Sequence, residues 1–273
     1  MINLMYKFIK NCIPPIAFEV IKGIRGGNIT LSGDYDSWEE ASLECSGYSD
    51  QNILKEVLES TLKVKKGEAT FERDSVLFDE IEYAWPVLSG LMWSMARNKG
   101  RLNVLDFGGA LGSSYFQNRK FLNNFENISW SVVEQEHYVL AGQKYIQDDY
   151  LKFYQTINDC LAENQPNVVL ISGVLQYLPE PIKVLKMLAS VSADTLILDR
   201  TPYVNKGLKP TIKIQTVPSQ IYPARYPCRL LSEVSLIAEI NELNYSLIKS
   251  FNSLDNLASM ATWKGHIFRF NKS

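Results

Sequence analysis

Residues 104–112 read Val104-Leu105-Asp106-Phe107-Gly108-Gly109-Ala110-Leu111-Gly112. An apolar run ends on an acid, and a turn of small residues follows. Only small residues tolerate the tight backbone that such a turn demands. A helix opening after Gly112 presents first-turn N–H groups that have no partner within the helix, and these can face a bound group. A nucleoside cofactor is held in this way at the edge of a doubly wound α/β sheet. The spacing departs from the dinucleotide fingerprint G-x-G-x-x-G, because the three places counted from Gly108 hold Gly108, Ala110 and Ser113. The run is instead D-x-G-x-A-x-G.

From Arg101 onward apolar runs alternate with amphipathic stretches, the pattern of a parallel sheet with crossover helices. Strands are expected at Leu102–Phe107, Ile128–Glu134, Leu151–Tyr154, Asn167–Ser172 and Thr195–Asp199. Helices are expected between them at Ser113–Phe125, Glu136–Tyr145, Ile157–Glu163 and Ile182–Ser190. Val168-Val169-Leu170-Ile171 has the unbroken apolar character of a central parallel strand. Ser232–Leu243 reads as a capped helix, and Tyr245–Phe251 and Gly265–Phe270 as a closing pair of strands.

Residues 1–99 follow a different pattern. Residues 25–38 are rich in glycine and polar side chains and read as loop. Asp36 or Ser37 caps a short helix through Cys45, and Ser49 or Asp50 caps a second from Gln51 to about Lys65. Ile53, Leu54, Val57, Leu58 and Leu62 recur along that second helix at helical spacing. A third helical region over 75–97 contains Pro86 as a break. The chain therefore divides into a mainly helical N-terminal segment (1–99) and an α/β domain (100–273). Within the latter, 202–230 reads as an insertion over the ligand end of the sheet, with five prolines, several aromatics and a strand at Thr211–Val217.

With 273 residues, 46% hydrophobic and 21% charged, the chain has the balance of a globular protein with a large core. A formal net charge of -2 argues against a nucleic-acid partner, whose phosphates call for a basic excess. Cys12, Cys45, Cys160 and Cys228 are scattered, with no C-x-x-C pair. Neither a metal site nor a disulfide framework is expected, and free thiols suit a reducing cytoplasm. Residues 1–24 are too interrupted by charge for a membrane span and lack a small-residue cleavage site. They are basic and carry aromatic and aliphatic side chains. They suit peripheral contact with an anionic inner membrane surface, or packing on the domain or on a second copy.

Several residues can carry chemistry. Glu134 ends the second strand of the α/β domain, about 20 residues after the glycine turn, where a carboxylate accepts hydrogen bonds from both hydroxyls of a ribose. Its plainer reading is a solvated strand-end acid. Asp199-Arg200 follows the fifth strand at the ligand end. The Asp can take a proton from an acceptor hydroxyl and the Arg can pair with a carboxylate or phosphate, or the two form a strand-end salt bridge. Arg73, in the charged run Glu72-Arg73-Asp74-Ser75, is a second candidate for pairing an anion; such a run is otherwise a solvated face or a helix cap. Gly33-Asp34-Tyr35-Asp36-Ser37-Trp38 joins aromatics with acids, as the faces and hydroxyls of a sugar require. His137 and His266 are the only histidines, and a lone histidine is more often structural than catalytic.

The run D-x-G-x-A-x-G resembles the first motif of class I S-adenosylmethionine (SAM) methyltransferases. Taken with the runs at 33–41, 72–78, 132–135, 199–202 and 226–228, it resembles a family of bacterial methyltransferases often encoded among surface-polysaccharide or O-antigen genes. The resemblance covers about residues 30–270. It implies a Rossmann-like class I methyltransferase fold: a seven-stranded, mostly parallel sheet with helices on both faces, plus an N-terminal mainly helical cap. It also implies SAM as cofactor. On that resemblance Asp106 helps place the amino-acid end of SAM, and Gly108, Gly109, Ala110 and Gly112 form the cofactor turn. Thr156, Ile157 or Asn158 touches the adenine, and Ser172-Gly173 end the strand beside the transferred methyl. Many relatives carry an acid and a histidine where this chain has Gln176-Tyr177, so no histidine base is expected there.

The expected function is SAM-dependent O-methylation of a sugar or glycan intermediate, neutral or anionic, in surface-polysaccharide biosynthesis. Asp199 is the expected base, with Arg200 or Arg73 on an anion. The rival readings are a non-catalytic scaffold of the same fold and a nicotinamide-linked sugar enzyme. Exposed aromatics also suit a homodimer interface.

Overall fold

The computed structural model describes residues 29–45, 51–218, 224–255 and 260–272. Residues 1–24 and the cap at Ser49 or Asp50 lie outside the described residues. The first part of the chain comprises β1 (Thr30–Tyr35), α1 (Trp38–Leu43), α2 (Gln51–Lys66), the hairpin β2 (Phe71–Arg73) and β3 (Val76–Phe78), and α3 (Trp85–Arg97). Strands and helices then alternate: β4 (Leu102–Phe107), α4 (Ser113–Leu122), β5 (Ile128–Val133), α5 (Glu136–Ala141) and β6 (Leu151–Tyr154). They continue with α6 (Ile157–Glu163), β7 (Val168–Ser172), α7 (Pro181–Ala189) and β8 (Thr195–Val204). The chain closes with β9 (Thr211–Val217), β10 (Ala224–Leu230), α8 (Glu233–Glu242), β11 (Tyr245–Asn252) and β12 (Ala261–Phe270).

The main sheet has the order β11-β12-β8-β7-β4-β5-β6. β4 to β8 run parallel, and β12 lies antiparallel between β8 and β11. Numbered along the chain, these seven strands read 3-2-1-4-5-7-6 across the sheet, with the seventh reversed. This is the seven-stranded, mostly parallel Rossmann-like sheet of the class I methyltransferase fold that the resemblance implies, and its parallel part is what the alternation predicts. One apolar cluster, with Leu91, Phe116, Trp130 and Phe153, covers one face beneath α2, α3 and α4; a second, with Leu105, Ile171, Leu185 and Ile240, covers the other beneath α6, α7 and α8. Among the described residues no helix is long and apolar enough to cross a membrane.

The structure corrects three sequence expectations. Residues 30–35 are a strand rather than loop: β1 pairs antiparallel with β9, and β10 pairs with β9 on the other side, making a separate three-stranded sheet. β1 is mostly exposed, so backbone pairing rather than side-chain burial defines it. The helical region expected over 75–97 starts only at Trp85, since Val76–Phe78 is strand β3, and Pro86 does not interrupt it. The proline lies in the first turn of α3, where its missing N–H removes no helical hydrogen bond. The fifth strand of the domain also continues beyond Asp199 to Val204, where Tyr203 bridges to Leu231 just after β10.

Candidate functional site

The carboxyl ends of β4, β5 and β7 converge on one cavity of about 360 Å³, lined by Phe107, Gly108, Glu134, Gln155, Gly173 and Tyr177 among others. β4 delivers Asp106 and then the glycine turn. Gly109 comes so close to the Asp106 carboxyl that an added Cβ would sit 2.5 Å from its Oδ2. Gly112, at φ 90°, is the N-cap of α4 and puts no side chain over the first turn. The N–H groups of that turn are therefore left open to a ligand.

Of the two acids at this site, Asp106 is deeply buried and Glu134 half-buried. Asp106 is 1% exposed; its Oδ2 accepts from Trp130 Nε1 at 2.9 Å, while Oδ1 has no partner among the described atoms. Burial pushes the Asp106 carboxyl up to about 7. Glu134 follows β5, and burial also raises its carboxyl, opposed by the backbone N–H groups of Gln135 and Ala110. Ala110 holds a left-handed conformation, φ 49°, which turns its N–H toward that carboxylate.

A second, much smaller cavity of about 30 Å³ lies between Arg73, Ser113, Gln117, Ser172, Asp199 and Arg200. Asp199 and Arg200 occupy a β-bulge: between the pairs Leu198–His266 and Thr201–Lys264, β8 has two residues and β12 only Gly265. Bulges of this kind re-aim side chains beside functional sites. Arg200 takes φ 54°, a strained conformation for an arginine, and its N–H donates to Ser253 Oγ at 2.9 Å. Ser253 Oγ in turn donates to Asp199 Oδ1 at 2.7 Å, and Ser172 Oγ lies 3.5 Å from Oδ2. Burial raises the Asp199 carboxyl.

Arg200 is clamped by two carboxylates. Its Nε donates to Asp255 at 2.6 Å and its Nη2 to Asp74 on the β2–β3 hairpin. Burial opposes the Arg200 charge, but Asp255 and Asp74 outweigh it. The charge is thus answered from within the chain. The same hairpin brings a residue that sequence reading passed over. Glu72 is 1% exposed, accepts from Ser113 Oγ and from the Ser75 N–H, and is pushed up to about 7 by burial. No local signal distinguishes it from the charged residues that follow it.

The structure therefore brings Gly108, Glu134 and Gly173 to one cavity, with Asp106, Gly109, Ala110 and Gly112 on the strand end and turn beside it, and Ser172, Asp199, Arg200 and Arg73 to its neighbour. Ile157 is not among them. It packs in the core with Val133, Tyr154 and Cys160, while Gln155 lines the cavity instead. Gln176 is buried and donates to the Arg200 carbonyl at 3.1 Å. Tyr177 donates to Gln215 Oε1 at 3.0 Å and packs edge-on against Tyr226, which joins the three-stranded sheet to the cavity wall. His266 is buried between Tyr203 and Glu233, and no described cavity includes His137. The described cysteines are free, and no cluster among the described residues is arranged to hold a metal ion. A wider cleft, about 600 Å³, lies between the three-stranded sheet and α7 and α8 and shares no residue with the two strand-end cavities.

No protein-family model matches the chain, and no curated protein does. Solved structures do resemble it. The N-terminal domain of EvdMO1 with SAH bound is 16% identical, covering 80% of this chain and 97% of that one at a TM-score of 0.47. The CcbJ methyltransferase from Streptomyces caelestis is 12% identical, covering 67% and 90% at a TM-score of 0.45. Magnesium protoporphyrin IX methyltransferase from Synechocystis PCC 6803, with bound SAM, is 13% identical, covering 82% and 100% at a TM-score of 0.45.

Proposed function

We propose that this chain is a SAM-dependent methyltransferase that O-methylates a sugar or glycan intermediate, with bacterial surface-polysaccharide biosynthesis in the cytoplasm as its setting. One observation carries the reading. A glycine turn, the buried Asp106, the half-buried Glu134 and a cavity of about 360 Å³ meet at the carboxyl ends of a sheet with this strand order.

The residues fit the cofactor. Glu134 accepts only from backbone N–H groups and lines the cavity, so its carboxylate can also receive a ribose diol. The unpartnered Asp106 Oδ1 suits an ammonium group or a water bound to one. Gln155 offers an amide to the adenine edge in place of Ile157. When bound, SAM supplies a methyl on a sulfonium, open to in-line displacement. The chain's part is largely to hold the acceptor oxygen in line, which is worth up to about 7–11 kcal/mol when geometry is ideal.

Asp199 is the proposed proton acceptor, at Oδ2, since Oδ1 is occupied by Ser253. A carboxyl raised by burial is a stronger base than a solvated one. Because Asp74 and Asp255 already neutralise Arg200, the acceptor group is a neutral hydroxyl rather than an anion. Tyr177 lines the cavity and supplies a flat face of the kind a sugar requires, held in place by Gln215 and by the Tyr226 ring behind it. Peripheral membrane contact through residues 1–24 and pairing of two copies belong to the same proposal; vesicle co-sedimentation and light scattering test them.

The deciding experiment is calorimetric titration with SAM and S-adenosylhomocysteine. Micromolar binding that falls by about tenfold or more in Glu134→Ala supports the site, since hydrogen bonds to a charged group contribute about 1.5–3 kcal/mol each. A folded wild type that binds neither ligand overturns the reading in favour of a non-catalytic scaffold. With an identified acceptor, Asp199→Asn is expected to lower turnover by about 100- to 10,000-fold, the usual range for a general base. Near-normal turnover would remove Asp199 from that role.

A further inference from the structure

The β2–β3 hairpin belongs to the N-terminal segment, yet it is fastened to the ligand end of the main sheet at two points. Glu72 accepts from Ser113, the first residue of α4, and Asp74 pairs with Arg200 on β8. Its turn residues, Asp74 at φ 52° and Ser75 at φ 70°, both hold left-handed conformations without a glycine. Such a turn matches the twist of a two-residue hairpin but carries strain for these side chains. The Ser75 N–H to Glu72 and the Ser60 hydroxyl to the Ser75 carbonyl at 2.8 Å hold it in that form.

Between these two fastenings sits Arg73. It is half-buried, lines the smaller cavity, and stands over the Phe78 ring with its guanidinium carbon 5.7 Å from the centroid. Among the described residues no hydrogen bond or salt bridge holds its side chain; its charge acts on the neighbouring Asp74 carboxylate, which is itself bonded to Arg200. The other arginine of the cavity, Arg200, is paired twice over. Ser113 and Ser114, the first two residues of α4, line the same cavity. Their helix has a glycine cap with no side-chain hydrogen bond, so their N–H groups stay open. A guanidinium that no hydrogen bond holds and an uncapped helix start therefore meet in one small polar space, next to the turn assigned above to the cofactor. Both recognise a carboxylate, the guanidinium through parallel N–H donors and the helix start through its dipole and free N–H groups.

We infer that Arg73 binds the α-carboxylate of SAM together with the start of α4, so that the N-terminal hairpin completes the cofactor site. The inference rests on the cofactor reading above. It gives Arg73 an anion to pair with, but on the cofactor instead of the acceptor. Glu72 acts as a positioning residue: it orients the Ser113 hydroxyl and holds the hairpin so that Arg73 stays in the cavity with the helix start.

The test compares two probes with purified full-length protein. S-adenosylhomocysteine carries the amino-acid end, whereas 5′-methylthioadenosine keeps the adenosine and thioether without it. In Arg73→Met, affinity for S-adenosylhomocysteine is expected to fall by about ten- to a hundredfold, the usual cost of losing hydrogen bonds to a charged group. Affinity for methylthioadenosine should change less than about twofold, and Arg73→Lys, which keeps the charge but not the planar fork, should recover part of the loss. An unchanged affinity for S-adenosylhomocysteine overturns the inference while leaving the proposed function standing. Equal loss of both probes in Arg73→Met and Arg73→Lys proteins with wild-type melting curves also overturns it, since Arg73 would then act on the fold of the whole site. A wild type that binds neither probe fails the cofactor reading itself.

Discussion

At the scale of single residues, two carboxyls are held well above their ordinary range by burial, and their effect on stability has a definite sign. Glu72 moves from 4.5 to about 7 and Asp106 from 3.8 to about 7 on folding. Between the ordinary and the raised value the folded chain binds more protons than the unfolded one, so each group makes stability fall as pH rises through that window. Above about 7 the contribution is constant. Glu72→Gln removes one such titration. Its stability relative to wild type is expected to rise by about 1–3 kcal/mol between pH 4.5 and 7.5, as read from cofactor-free denaturant melts at several pH values. A difference that is flat with pH would mean that Glu72 ionises normally. The sequence could suggest Asp106, because it stands one step before a glycine turn. It could not suggest Glu72, because Glu72-Arg73-Asp74 has the composition of a solvated turn. Only the return of the hairpin against α4 puts the first of these three residues under Ser113.

At the scale of elements, the attachment of α3 to the sheet can be tested by one ion pair. Arg97, in the last turn of α3, makes two parallel bonds of 3.1 Å to Asp194, just before β8, and stacks on Trp93. Asp194 is 6% exposed, and Arg97 holds its carboxyl low against the effect of burial. Removing Arg97 leaves that charge with weaker partners, among them Lys272 at 3.9 Å and the Asn98 amide at 3.5 Å. Arg97→Met is expected to cost about 1–3 kcal/mol in urea melts, while Lys183→Met, which breaks an exposed pair with Glu180, should cost less than about 1 kcal/mol. The alternation over 102–199 was legible because a parallel strand buried on both faces has to be a continuous apolar run, as in Val168–Ser172. β1 was not legible because Thr30-Leu31-Ser32-Gly33-Asp34-Tyr35 has neither such a run nor a clean alternation. Its partner β9 defines it through backbone bonds that leave no trace in side-chain type. Pro86 has two readings in sequence, a stop or a start, and the apolar face of residues 87–95 that follows it selects the start.

At the scale of the whole molecule, the three-stranded sheet binds the N-terminal segment to the 202–230 region, so the two act as one roof. β8 and the end of β10 continue it into the main sheet through Val204 N–H to Leu231 O at 2.9 Å and Leu231 N–H to Pro202 O at 3.0 Å. A variant lacking residues 1–36 would leave β9 with an open row of backbone groups. Hydrogen exchange is expected to speed up in 211–217 and 224–230 and to stay slow in β4, β5 and β7, where strands have neighbours on both sides. Uniform acceleration would show that the sheets unfold as a single cooperative unit. The pairing of Thr30 with Thr216 also has a consequence in time, because the partners lie 186 residues apart. At roughly 5–20 residues per second, the first strand leaves the ribosome roughly ten to forty seconds before its partner exists. Through that interval it is a lone β-segment among neighbouring nascent chains. Its composition, with Gly33, Asp34 and few apolar residues, makes it a poor template for strands on those chains. The features that hide the strand from sequence reading protect it while it waits.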